Sequence, residues 1–195
     1  MSNRIPIMKV DSYIRSKLFY IVYRLFFKQL HWSSRIDSPA SVEGAKFIAV
    51  GKRTLIAKHS AICASDALHS SPILDIGSDV KIGKFNHIYA TQKIVIHNRV
   101  LTANNVYISD NQHDYSNIAI PIIDQPILQK GTVEIHEGAW LGQNSCIIGC
   151  NIGRNSVVAA GSVVLNDVPD YCVVAGTPAR IVKRFCLEKL IWEKV

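Results

Sequence analysis

Few residues in this chain are of a type and spacing that could do chemistry. Seven histidines stand at positions 31, 59, 69, 87, 97, 113 and 136. His113, in SDNQHDY, is set apart by its place, since it closes a run of regular repeats and opens a stretch with none. An imidazole titrates near neutral pH and can take or give a proton there. His97 and His136 follow inward-pointing apolar positions and read as solvated corners. Five cysteines are scattered without a CxxC pair. Cys146 and Cys150 are four apart, but both lie inside repeat rows and no His or Cys of zinc spacing accompanies them. A phosphate loop, a Ser-His-Asp order and a GxGxxG after a strand are all missing.

The elements that must position His113 follow from the period of the sequence. From Ile135 to Pro169 the chain divides into IHEGAW, LGQNSC, IIGCN, IGRNSV, VAAGSV and VLNDVP. A period of six fits neither a helix nor a simple strand. It is the mark of a parallel β-helix, in which each hexapeptide makes one flat side and three sides close a triangular coil. Ile135, Leu141, Ile147, Ile152, Val158 and Val164 then point inward. The fifth residues, Ala139, Ser145, Ser156, Ser162 and Val168, sit where only a small or narrow side chain fits. IIGCN is one residue short and predicts a tightened corner.

The same period marks earlier coils at Val50, Ile56 and Ile62, at Ile76 to Lys93, and at Ile96 to His113, about five coils in all. LHSSPILD reads as a connector, and Ile94 and Val95 as a two-residue bulge. Residues 114–134, with Pro121 and Pro126, carry no register. An insertion of that length in a solenoid is a candidate binding element. Residues 9–30 show helical spacing of apolar residues with Arg15, Lys17, Arg24 and Lys28 among them, an amphipathic helix. Its apolar run LFYIVYRLFF is broken by Arg24 and is about half of the roughly 20 apolar residues needed to span a bilayer. Two readings stay open for it: a cap on the first coil, or a helix lying in a membrane interface. VKRFCLEKLIWEKV reads as a short C-terminal helix over the open end. The organisation expected is thus a helical segment at 1–35, a β-helix at 36–182 with its excursion at 114–134, and a helix at 183–195.

This pattern resembles the left-handed β-helix acyltransferases, the hexapeptide-repeat family, over roughly residues 50–184. AAGSVVLNDVPDYCVVAGTPARIVKRF is the most specific part, ending in the AGxPAR segment. The fold class implied is all-β, a left-handed parallel β-helix with an N-terminal amphipathic helix and a short C-terminal one. Left-handedness comes with the resemblance, since general chirality favours the right-handed crossover. The resemblance also implies acyl transfer from acetyl-CoA with His113 as general base, a homotrimer, and no required metal. Gly142, Gln143, Ala160, Gly161, Leu165 and Asn166 match positions along the cofactor groove. Arg180 and Lys183, with Arg184 beside them, match the charge that meets its phosphates. Leu165 and Asn166 depart from the Thr-Lys of many relatives, which removes one phosphate contact. Asn86 and Trp140 match residues that hold the acceptor sugar; a solenoid corner for Asn86 and packing between coils for Trp140 are the ordinary alternatives.

The chain of 195 residues carries a net charge of +7 and an apolar fraction of 48%. The charge suits an anionic partner, but the basic residues are dispersed and match no nucleic-acid motif. An odd number of unpaired cysteines points to a reducing cytoplasm, and no secretory signal is visible in the first residues. The function expected is O-acetylation of a sugar or glycan in surface polysaccharide or lipopolysaccharide assembly. N-acetylation of a nucleotide-linked amino sugar and a catalytically silent scaffold are the alternatives. Peripheral contact with the inner face of the membrane goes with the interfacial reading of the first helix.

Overall fold

The computed structural model describes the backbone of residues 6–195 and the side chains of residues 10, 11 and 13–195. The first five residues of the expected 1–35 segment lie outside the described residues. The chain winds into a three-sided parallel β-helix. Face A carries the strands Gln29–Leu30, Ile48–Val50, Ile73–Ile76, Lys93–Ile96 and Val133–Ile135, extended by single bridges to Ile152 and Val168. Face B begins at Arg35–Ile36 and runs through Leu55–Ile56, Lys81–Ile82, Leu101–Thr102, Trp140–Leu141 and Val157–Val158 to Cys172–Gly176. Face C stacks six strands, Ser41–Glu43, Ala61–Ala64, His87–Ala90, Tyr107–Ser109, Cys146–Ile148 and Val163–Val164.

Register is set by the inward apolar residue of each hexapeptide. Ile62, Ile88, Ile108 and Ile147 sit directly above one another on face C, and all are fully buried. Each such side chain contributes about 1.5–3 kcal/mol by leaving water. The fifth residues also point inward and are buried: Thr54, Ser60, Val80, Ala139, Ser145, Ser156 and Ser162 are at most 1% exposed. Their hydroxyls tie one coil to the next, as in Thr54 Oγ1 donating to Gly77 O at 2.6 Å and Ser60 Oγ to Gly83 O at 3.0 Å. The turn itself falls one residue earlier, on a fourth position in the left-handed region: Arg53, Asp79, Arg99 and Asn155 at one corner, His59, Phe85, Asn105 and Asn144 at the next. The short repeat IIGCN is absorbed at Gly149 (φ 57°), where a Cβ would lie 2.6 Å from Lys130 Cβ.

Four expectations need correction. The helix α1, Pro6–Tyr23, ends before residue 30, because the chain from Gln29 onward already pairs with the next coil, Leu30 opposite Val50 and Ile36 opposite Ile56. A sixth coil therefore precedes Val50. The connector is not free of structure, since Ile73, Leu74 and Asp75 belong to face A. Ile94 and Val95 form no bulge; they continue a four-residue strand in register with Leu74 and Asp75. At the far end no C-terminal helix forms. Ala179–Cys186 runs back antiparallel along Cys172–Gly176, and Ile191–Lys194 adds a second antiparallel strand. The open edge of the last coil offers unpaired backbone groups that a strand satisfies and a helix does not. Phe185 and Trp192 then meet edge to face at 5.4 Å, and Lys189 and Glu193, spaced as on a helix, pair across the turn at 2.9 Å.

Candidate functional site

The solenoid departs furthest from its path between faces C and A after Ser109. There Asn111–His113 pairs antiparallel with Ile127–Gln129, so that His113 lies opposite Ile127 at the mouth of the excursion. Val133 and Glu134 already belong to face A, and the excursion is thus a hairpin beginning at Asn111. A buried carboxylate anchors its base. Asp110, with no exposed surface, accepts from Thr91 N at 2.9 Å, Thr91 Oγ1 at 2.9 Å, Gln92 N at 2.7 Å, Lys93 N at 2.9 Å and Asn111 Nδ2 at 2.9 Å. Gln129 Nε2 donates to Asp110 O at 2.6 Å, closing the hairpin over the same corner. His113 itself is exposed.

Below His113, face C continues to the other predicted positions. Leu165 and Asn166 stand on the same edge two rungs on, after Val163–Val164, and both are exposed. On the opposite edge Gly142, Gln143, Ala160 and Gly161 form a strip of backbone, with Gly161 N donating to Gln143 O at 2.8 Å. Gly142 is required there, because a Cβ would come within 2.6 Å of Ala160 N and 2.7 Å of Val158 O. Thr177 Oγ1 extends the strip by donating to Gly161 O at 3.3 Å. Asn166 and Arg180 line one cleft of about 260 Å³ at the C-terminal end, walled by Val164, Val168, Val174 and Ile181. Lys183 and Arg184 are exposed on the strand beyond, facing no shared pocket with Asn166 among the described residues.

The two acceptor candidates fare differently. Asn86 is 1% exposed; its Nδ2 donates to Ala103 O at 2.9 Å and its Oδ1 accepts from Thr102 Oγ1 at 3.1 Å. It is a corner residue, and the expectation that it contacts a sugar is withdrawn. Trp140 is half exposed, on face B between Leu101 and Val157. Within one chain it therefore lies around the corner from the face that carries His113. Face C also carries His87, the next candidate for a base, and two residues that the sequence did not single out, Tyr107 and Tyr89, which meet its ring edge to face at 5.5 Å and 6.1 Å. The signal was the outward position of each strand, visible only once the strand register is known.

No family model matches the chain. A protein of Escherichia coli K12 named as a lipopolysaccharide biosynthesis O-acetyl transferase, WbbJ, is 31% identical over 129 residues, covering 63% of this chain and 66% of that protein. The galactoside O-acetyltransferase of the same organism is 28% identical over 171 residues, 82% of this chain and 78% of its own. Among solved structures, AntD, an N-acyltransferase from Bacillus cereus in complex with dTDP and coenzyme A, superposes with a TM-score of 0.73 at 19% identity, covering 87% of this chain and 89% of that one. The chain belongs to the hexapeptide-repeat acyltransferase family. It spans about half to two thirds of the length of the first curated relatives that it matches.

Other reactive groups of this hexapeptide-repeat chain are engaged with one another or with their neighbours. Burial pushes the Cys63 thiol up to about 12, with Glu43 beside it, and the Cys150 thiol up to about 11. Neither is a thiolate at neutral pH. His97 and His136 stack at 5.0 Å, and with Glu134 their ligand atoms lie within 4.8 Å of one another. Lys93 Nζ sits 2.6 Å from Glu134 Oε1 and already supplies a positive charge to that carboxylate. The bond from Lys93 holds the Glu134 carboxyl below its ordinary range, against the opposing cost of burial.

Proposed function

We propose that the protein is an acetyl-CoA-dependent O-acetyltransferase acting on a sugar hydroxyl in surface polysaccharide or lipopolysaccharide assembly. The observation that carries this reading is the position of His113, on a hairpin at the head of face C, with the cofactor candidates along both edges of that face below it. In the mechanism the imidazole takes the acceptor's proton while its oxygen bonds to the thioester carbonyl carbon. The tetrahedral oxyanion is met by a backbone N–H, the carbon–sulfur bond breaks, and coenzyme A leaves as the thiol. No acyl-enzyme is needed, because one groove holds both substrates and the rate comes from their proximity. Rungs of face C are stacked about 4.8 Å apart, so two rungs separate His113 from Asn166 by a span that a pantetheine arm bridges readily.

A homotrimer completes the site in this reading. Trp140, turned away from His113 in its own chain, comes to a neighbour's His113 when face B of one subunit meets face C of the next. Its indole then covers the apolar side of a pyranose. Gly142, Gln143, Ala160, Gly161, Leu165 and Asn166 line the pantetheine, and Arg180 and Lys183 meet the phosphates. The cysteine usage supports a cytoplasmic location. An amine acceptor on a nucleotide-linked sugar is the second reading, suggested by AntD, which shares the fold and is an N-acyltransferase.

The test is thiol release from acetyl-CoA with a panel of sugars, lipid-linked oligosaccharides and amino-sugar nucleotides. Turnover with a hydroxyl acceptor supports the first reading, and turnover confined to amines supports the second. No turnover together with no binding of coenzyme A leaves a scaffold. Arg180→Ala should weaken coenzyme A by roughly tenfold, as expected for one charge-assisted contact, with a smaller change in the chemical step.

A further inference from the structure

The helix α1 turns the wrong side to water for a simple cap. Its inner side is set by Ser16, which is buried, and by Phe19, which packs against the core beside Phe27. On the opposite side Val10, Ile14, Leu18, Ile21, Val22 and, in the following turn, Leu25 are between 51% and 83% exposed. At a helical advance of about 100° per residue, these six fall within a stripe roughly 120° wide. A helix whose only task is to cover the first coil would be polar there.

The flanks of the stripe carry the charge. Between residues 10 and 28 stand Arg15, Lys17, Arg24 and Lys28; Arg15 pairs with Asp11 and Lys28 with Asp75, which leaves Lys17 and Arg24 to meet an anionic surface. The cations sit among aromatic rings: Lys17 Nζ lies 5.4 Å from the Tyr13 ring centre and 5.3 Å from that of Trp32, and Arg24 lies 5.8 Å from that of Tyr20. Amphipathic rings beside cations, bordering an apolar stripe, match the headgroup level of a lipid surface. On the inner side of the helix an apolar groove of about 470 Å³, lined by Phe19, Tyr23, Phe26, Phe27 and Val42, opens at the junction with the first coil. None of the described helices is long and apolar enough to cross a membrane.

We propose that α1 is an in-plane anchor for an anionic lipid bilayer, its apolar stripe seated at the boundary of headgroups and acyl chains and its basic flanks among the phosphates. Charge decides between this occupant and a second copy of the chain. Pairing two such helices would bring like charges together, whereas anionic headgroups neutralise them. The anchor sits at the N-terminal end of the solenoid, and the cleft between Asn166 and Arg180 sits at the other end. The inference does not rest on acyl transfer, because its evidence lies wholly outside face C.

The test uses the full chain, sedimented with vesicles of phosphatidylcholine alone or with phosphatidylglycerol added. The protein should pellet with the anionic vesicles and be partly released by salt. Leu18→Glu combined with Ile21→Glu, both at exposed positions, should lower the partition by at least about tenfold. Arg24→Gln should lower it by about fivefold. Far-UV spectra, solution mass and thiol release with a soluble acceptor should match the parent. Failure of the parent to pellet with anionic vesicles, or unchanged pelleting of the double variant, would overturn the anchor. So would a drop in solution mass in the double variant, which would show that a second copy covers the stripe.

Discussion

The coils and the excursion hairpin are built on opposite plans. In a coil every rung repeats the one before, with a buried branched residue on each face and a buried small residue at each corner, so that stability is spread over many equivalent contacts. In the hairpin it is concentrated. Asp110, Gln125 and Gln129 hold most of the backbone, with Gln125 Nε2 donating to Asn117 O at 2.9 Å and Ile120 O at 2.8 Å. Tyr115, Ile118, Ile122 and Ile123 meanwhile remain exposed. A solenoid can carry a mobile or specialised insertion because its coils do not depend on it. The excursion is consequently where sequence can change chemistry at little cost to the fold.

The largest effect expected from that division is on turnover alone. His113→Ala should lower kcat by roughly a hundred- to ten-thousand-fold, the worth of a positioned general base, with coenzyme A affinity and Tm nearly unchanged because the side chain is exposed. A fall in Tm matching that of a core variant would break the comparison. Retention of near-full turnover in an assay limited by chemistry would move the base elsewhere, with His87 the next residue to replace.

One substitution made in both regions sharpens the contrast. Ile108→Ala, inside a coil, should cost about 2–5 kcal/mol in chemical denaturation, since Ile108 is fully buried. Ile118→Ala, at the fully exposed tip of the excursion, should cost less than about 0.5 kcal/mol. Equal losses would mean that the hairpin is packed in solution in a way a single chain does not show.

Asp110 joins the two plans. Asp110→Ala strands the N–H groups of Thr91, Gln92 and Lys93, and should lower stability by about 3 kcal/mol. Asp110→Asn keeps the shape and should recover part of that loss. Both should lower kcat more than they raise KM, if the corner serves to position His113.

The smallest effect is a surface one, with a sign fixed by the carboxyl. The Lys93 partner holds Glu134 below its ordinary range, so the pair stabilises the fold above the unfolded Glu value of about 4.3 and the gain is lost as pH falls through the lower folded value. Lys93→Met should therefore cost under about 1 kcal/mol at neutral pH, measured by thermal melts, and the difference from the parent should vanish in acid. A difference that persisted in acid would mean that Lys93 acts by packing.

The hexapeptide period alone determined the β-helix, the inward residues from Val50 to Val164 and the place of His113 at its interruption, because periodicity is a property of spacing and survives without coordinates. Tertiary structure decided the ends. Residues 29–43 have no clear period, and they became a coil only because the next one offers a paired edge. Residues 179–194 have helical spacing, and they became strands for the same reason. It also decided which polar residues are available: Asn86 and Asp110 look alike in sequence to surface corners, and both are buried because coils above and below close over them. The tyrosines beside His87 and the separation of Trp140 from His113 depend on which face each strand presents. That is fixed by winding, which no local pattern encodes.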